Sequence, residues 1–368
     1  MKLTRFGLLA AVILLTAACS DAGRYITVEG FAQGGTWHLI CRLPQGVRPQ
    51  QVKATADSLL LEIDRSVSGY NRGSLLSRLN AGEVLPLDRH FIANFEMSRK
   101  VWEISGGAFD PSAAPLFDLW GFGFTGEETV SERAVDSIMA FVGMDHFSLE
   151  QRDGETFLLR DDPRCKLNFN AIAQGYSCDC IASALEELGC RDYLVEVGRE
   201  IVCKGLSSRG GKWRIALEDP SPDRHSRLDR ESRLNRESLP DRHSRLDRES
   251  ELDRESHPTE PAKILELSDC GIVTSGNYRK FYENDGKKYA HTIDPHTGRP
   301  VTHNLLSATV ILSNAPSSVM PGPDRASPAS PLASYADAYA TWMMVIGGDA
   351  ARAAADTLPG VEVILIGE

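Results

Sequence analysis

The sequence predicts an α+β fold, a mostly antiparallel sheet flanked by helices, on three observations. Helical and extended periodicities are both present, the extended runs are short and bounded by Gly, Pro and Asp, and strands gather late in the chain without regular β-α-β alternation. A chain of 368 residues, 42% hydrophobic and 25% charged, has enough apolar surface for one large core or two modest ones.

Apolar residues recurring at three and four predict helices over 49–66, 91–104, 130–142, 172–189 and 335–356. Strands are expected in "WHLICRL" (37–43), "YLVEVG" (193–198), "WRIALED" (213–219), "SATVILS" (307–313) and "VEVILIG" (361–367). Two stretches suit no core. "PDRHSRLDRES" occurs at 222–232 and again at 240–250, densely charged and without an aromatic residue, so 219–262 reads as a low-complexity insertion in a surface loop. Such an insertion adds closure cost only logarithmically. Residues 314–334, rich in Pro, Ser and Ala, read as a second exposed loop.

The chain opens with Lys2 and Arg5, an apolar run from Phe6 to Leu15, and small residues before Cys19. That is the pattern of a secretory signal over 1–18. "LTAAC" is similar to a bacterial lipobox, with Cys19 lipidated and 19–25 a tether to a body spanning 26–368. Seven further cysteines cannot pair completely and read as small buried thiols rather than a disulfide framework or a metal site at "CDC". A net charge of −11 leaves no general positive excess for a polyanion, which argues against nucleic acid as partner.

Four segments carry chemistry. In "ADAYATW", Asp337 and Thr341 lie four apart on one helical face, two hard oxygens that suit Mg²⁺. An Asp in the first turn facing the helix dipole, with a Thr bonded back to a carbonyl, accounts for the same letters. "SGGAFDPSAAPLFDLWGFG" (105–123) offers small residues for close approach and the rings of Phe109 and Trp120 for stacking, or simply a tight turn. "LNFNAIAQGYSCD" (167–179) reads as a strand end entering a helix whose first turn is Ala171, Ile172 and Ala173, with free amides for a phosphate. In "YAHTIDPHTGRPV" (289–301), His291 and Asp294 flank a turn, and His291 is placed to take a hydroxyl proton or to be an ordinary surface histidine.

Taken in order, "GTWH", "SGYNRGSLLSRLN", "GGAFDPSAAPLFDLWGFG", "NAIAQGY", "TSGNYRKFYENDGKKYAHTIDPHTGRPV" and "ADAYAT" resemble the ApbE family, the FAD:protein FMN transferases. The resemblance covers residues 26–368 apart from the two loops. It implies an ApbE-like, T-fold-like core in a periplasm-facing, lipid-anchored enzyme. Such an enzyme splits FAD with Mg²⁺, releases AMP, and esterifies FMN to a Thr or Ser of acceptor flavoproteins in membrane redox complexes. Carried over by motif, Asp337, Thr341 and the Ala171 carbonyl look like metal ligands, and His291 occupies the place of the general base. Gln33, Tyr70, Ala108, Phe109, Asp110, Asn168, Gln174 and Ile293 match flavin-nucleotide contacts. Three departures stand out: Asn168 where the family has Asp, Arg199 in "GREI" where it has "GGEI", and the early stop at "VILIGE". Arg199 adds a side chain where the backbone is expected to need positive φ. Two rival readings are an FAD pyrophosphatase and a non-catalytic flavin-binding lipoprotein.

Overall fold

A computed structural model describes residues 23–121, 130–217, 263–277, 292–314 and 328–367, with the backbone of Phe281–Asn284 and Lys287–Ala290. The signal segment, Cys19, the repeat insertion and His291 lie outside the described residues.

In chain order the strands are β1 Tyr25–Ala32, β2 Gly35–Arg42, β3 Phe147–Arg152, β4 Glu155–Arg160, β5 Tyr193–Val197, β6 Glu200–Lys204, β7 Trp213–Leu217, β8 Lys263–Leu267, β9 Cys270–Gly276, β10 Phe281–Asn284, β11 Lys287–Ala290, β12 Ile293–Asp294, β13 Arg299–Pro300, β14 Leu305–Leu312 and β15 Val361–Gly367. The helices are α1 Pro49–Val67, α2 Leu75–Asn80, α3 Arg89–Ile104, α4 Ala114–Leu119, α5 Glu132–Met139, α6 Ala173–Glu187, α7 Leu332–Ile346 and α8 Gly348–Ala355.

Seven strands form the central sheet in the order β1-β2-β5-β6-β9-β14-β15, and every neighbouring pair is antiparallel. The expected mostly antiparallel sheet is therefore present. Helices α1, α6 and α7 cover one face. On the other, the β7–β8 hairpin lays Trp213, Ile215, Leu217 and Leu265 against Ile201, Ile272 and Ile364. Helix α7 is enclosed nearly all round: of its 15 residues, only Thr341 and Ile346 are not buried. Among the described residues no helix is long and apolar enough to cross a membrane.

Three local expectations are corrected. The helix foreseen over 335–356 is two, broken at Gly347, which sits at φ 80° and lets the chain turn between α7 and α8. Helix α7 begins at Leu332, so 332–334 leave the Pro/Ser/Ala stretch; most of that stretch, 315–327, lies outside the described residues. No strand enters α6 either. Asn80 stands in for a ladder partner there, donating to the Leu167 carbonyl at 2.8 Å and accepting from the Leu167 N–H at 2.9 Å. The seven cysteines 41–270 are free thiols, all buried except the partly exposed Cys180, as expected.

Candidate functional site

The site grows from the crossing of α6 and α7. Gly175 makes the crossing possible: a Cβ there would meet the Ala333 carbonyl oxygen at 2.3 Å. Its N–H donates to Asp337 Oδ2 at 3.2 Å, so the carboxylate on α7 faces the first turn of α6. Asp337 is the sixth residue of α7, beyond the first turn, and only 5% exposed, which sets aside the reading of a first-turn Asp facing the helix dipole. One turn on, the Thr341 hydroxyl lies 3.5 Å from that of Ser275 on β9.

A second carboxylate fixes α7 in place. Pro331, its N-cap, has no side-chain hydrogen bond to give. Asp179 of α6 supplies the cap instead, accepting from the Ala333 N–H (3.0 Å), the Ser334 N–H (2.7 Å) and the Ser334 hydroxyl (2.6 Å). Glu200, at the start of β6, is the third: its Oε2 is buried with no hydrogen-bond partner, and its charge couples to Asp337. Burial pushes both Asp179 and Asp337 up to about 7, against the hydrogen bonds that lower them, and raises Glu200 well above the usual carboxylate range. Three buried carboxyls, one with an orphaned oxygen, fit a divalent cation that would offset their charge; Asp337, the Thr341 hydroxyl and the Ala171 carbonyl, two residues ahead of α6, are the oxygen donors available for Mg²⁺.

Two hairpin turns close the sheet end beside this crossing. Gln33 and Gly34 join β1 to β2 at φ 53° and 78°, and Gly198 and Arg199 join β5 to β6 at φ 63° and 94°. Positive φ at both residues is the demand of the two-residue turn that matches strand twist. The expected conflict at Arg199 is thus present, an L side chain where Gly is favoured. Gln33 Nε2 donates to the Ser177 hydroxyl at 2.7 Å. Gln174 lies against the other turn, where a Cβ on Gly198 would fall 2.1 Å from its Nε2, and the Gly198 N–H bonds the Thr36 carbonyl at 3.1 Å. Gln33 and Gln174 thus meet α6 at the two turns, and Asp337 meets it at Gly175.

The 105–112 loop joins from the side. Its Pro111 carbonyl accepts from the Asn168 N–H at 2.8 Å, while Asn168 Oδ1 accepts from the Asn170 N–H and Asn170 Nδ2 reaches the Tyr70 hydroxyl at 3.4 Å. Tyr70 is 68% exposed, at the rim. Ala108 and Phe109 are buried. Asp110 is largely spent within its own loop, accepting from the Ser112 N–H at 2.7 Å, the Ser112 hydroxyl, and Trp102 Nε1 at 3.2 Å. Burial nonetheless pushes it up to about 6. Ile293 is packed on Leu116 and Ala113, so its side chain faces core. Asp294 folds back on its own turn, accepting from the His296 and Thr297 side chains, and His296 Nε2 lies 2.9 Å from the Gly106 carbonyl. His296 is thus the described histidine that ties the 289–301 segment to the 105–112 loop.

Sequence reasoning missed Asp179, Ser334, Glu200 and the crossing glycine, Gly175. Only Gly175 carried a signal, a small residue inside an apolar helix. Asp179 and Glu200 read as surface charge until the tertiary fold encloses them.

The ApbE family profile matches residues 33–365. FAD:protein FMN transferases of Klebsiella pneumoniae and Vibrio cholerae are similar at 28% and 29% identity over 96% and 94% of this chain and 89% of each relative. The apo crystal structure of the Pseudomonas stutzeri flavinyl transferase ApbE aligns with a TM-score of 0.71 at 26% identity, over 94% of this chain and 92% of that one. A match running from the β1–β2 turn to the last strand, through every segment that meets at the α6–α7 crossing, means that this chain belongs to the ApbE family.

Proposed function

We propose that the protein is an Mg²⁺-dependent FAD:protein FMN transferase, exported and held to a membrane by a lipid on Cys19, with acceptor flavoproteins of membrane redox complexes as partners. The observation that carries this reading is the buried Asp337 carboxylate held against the first turn of α6. Relatives named FAD:protein FMN transferase, similar over nearly the whole chain, support it.

The reaction breaks the pyrophosphate bond of FAD. A Thr or Ser hydroxyl oxygen of the acceptor attacks the FMN phosphorus, the bond to the AMP oxygen breaks, and AMP leaves with the electron pair. In this reading His291 accepts the hydroxyl proton. Asp337, Thr341 and the Ala171 carbonyl would hold Mg²⁺, which would supply charge compensation for the pyrophosphate. The chain's own residues do the placing. The small first turn of α6 leaves room for a phosphate, but its amides are not the free set expected from the sequence, since the Ala173 N–H bonds the Phe169 carbonyl and the Gly175 N–H bonds Asp337. Gln33 and Gln174 offer amide groups to the nucleotide, Tyr70 offers a ring face, and the 108–110 loop closes the side. Asn168 in place of Asp accepts only neutral hydrogen bonds, so it holds the nucleotide less tightly than a carboxylate would.

A soluble form beginning after Cys19, incubated with FAD and Mg²⁺, tests the reading. AMP release with a gain of one FMN on an acceptor domain, both lost in Asp337→Ala, is the expected result. AMP without the mass gain points to a pyrophosphatase. No product, or full turnover in Asp337→Ala, refutes the reading.

A further inference from the structure

Apart from the α6–α7 crossing, His146, Asp161 and Cys165 bring an imidazole nitrogen, a carboxylate oxygen and a thiol sulfur within 4.8 Å of one another. The β3–β4 ladder sets the first two. Phe147 pairs with Arg160, so His146 and Asp161 are the next residues outward, and the Asp161 N–H donates to the His146 carbonyl at 3.2 Å. Their side chains meet with Nδ1 2.9 Å from Oδ1.

Cys165 returns to the same place through a turn. Its N–H donates to the Asp162 carbonyl at 3.1 Å, and its own carbonyl accepts from Arg160 Nη1 at 3.0 Å. The neighbouring guanidinium of Arg164 is occupied, paired with Asp162 at 2.6 Å and stacked on the Phe141 ring. All three backbones are therefore positioned without any metal.

The donor set decides what would bind. Two ligand atoms on a tetrahedral ion with bonds of about 2.0–2.1 Å stand roughly 3.3 Å apart, close to the imidazole–carboxylate spacing found here. A thiolate bond of about 2.3 Å needs the sulfur to move inward by about 1 Å, within reach of a small χ1 adjustment. Nitrogen, oxygen and sulfur together are borderline-soft, which disfavours Mg²⁺ and Ca²⁺ and suits Zn²⁺. His146 is partly exposed and Asp161 is exposed, which leaves room for water at a fourth position. An ion pair alone accounts for the imidazole and the carboxylate. It gives no reason for a wholly enclosed thiol to share their space.

We propose that His146, Asp161 and Cys165 bind one Zn²⁺ ion that closes the base of the β3–β4 hairpin. The segment it steadies reaches toward the flavin loop: the Gly143 N–H, three residues before His146, donates to the Ser112 hydroxyl at 2.6 Å, and Ser112 bonds Asp110.

The metal-free protein, as the full chain after Cys19, is titrated with Zn²⁺ by calorimetry in excess Mg²⁺, and with Co²⁺ as an optical probe. The expected result is one equivalent of Zn²⁺ and a near-ultraviolet thiolate-to-cobalt band. The near-isosteric Cys165→Ser should lose the band and weaken Zn²⁺ binding at least about tenfold, with unchanged circular dichroism. His146→Ala should weaken it comparably, and Asp337→Ala should leave it intact. No Zn²⁺ binding, binding indifferent to Cys165→Ser, or Co²⁺ binding without the thiolate band overturns the proposal. None of these outcomes depends on transferase activity.

Discussion

Replacing residues 218–262 by a four-residue turn should stabilise the protein. Leu217 and Lys263 are paired across the β7–β8 ladder, so the 45 residues between them span a gap that a hairpin turn can close. Closure entropy scales as (3/2)RT ln n, and shortening from 45 to 4 residues lowers its cost by about 2 kcal/mol. With an unfolding entropy near 2.1 cal/mol/K per residue over the remaining chain, that corresponds to a rise of about 3 °C in Tm. Urea and thermal melts of the two forms measure it, with FAD turnover as a check on the site. The five ladder pairs from Trp213 to Leu217 and the Trp213 Nε1 bond to the Lys204 carbonyl should persist. A fall in stability or loss of turnover would refute the premise that the segment contributes loop length and nothing else.

Other substitutions probe the crossing and its turns. Gly175→Ala places a methyl 2.3 Å from the Ala333 carbonyl oxygen, backbone that cannot swing aside, and should cost about 3 kcal/mol or more by chemical denaturation while lowering FAD turnover. Arg199→Gly relieves a left-handed conformation at φ 94°. With roughly 1–2 kcal/mol of strain removed and about 0.5–1 lost to the freer unfolded chain, a net gain of about 0.5–1 kcal/mol is expected in the same assay. Asp110 is raised from 3.8 to about 6, so its contribution to stability is complete below pH 3.8 and is lost as pH rises through 6. Asp110→Asn should therefore flatten the decline in stability between pH 4 and 7, on top of a pH-independent loss of about 1 kcal/mol from the Trp102 donor, as read by melts across that range.

Periodicity revealed the fold class because α1, which lies on the sheet, and α3, which packs against α1 and α7, are amphipathic over several turns. It missed β9, "CGIVTSG", because a strand between two others shows no alternation, and it missed the break at Gly347 because the apolar spacing runs on across it. At the site, the motif order marked Gln33, Gln174 and Asp337, which the fold gathers on α6, and Tyr70, which meets Asn170 ahead of that helix. Asp179 and Glu200 were illegible for a physical reason. Their meaning lies in partners more than a hundred positions away: Ala333 and Ser334, which Asp179 caps, and Asp337, whose charge Glu200 meets. Asp110 was read as facing the nucleotide, whereas its oxygens are mostly taken by Ser112 and Trp102.

The bond between the Gly175 N–H and Asp337 spans 162 positions of sequence. During synthesis, every length of chain that stops short of α7 presents α6 with Asp179 and Gly175 bare, a half-built cradle with no opposing wall. Such fragments can neither capture a nucleotide nor spend one. The pocket becomes competent in a single late event, when α7 seats on α6 and the sheet, so FAD is safe from a partly made enzyme. The same arrangement makes α7 the natural limit on folding speed, since the contact that creates the site is among the most distant the chain must find.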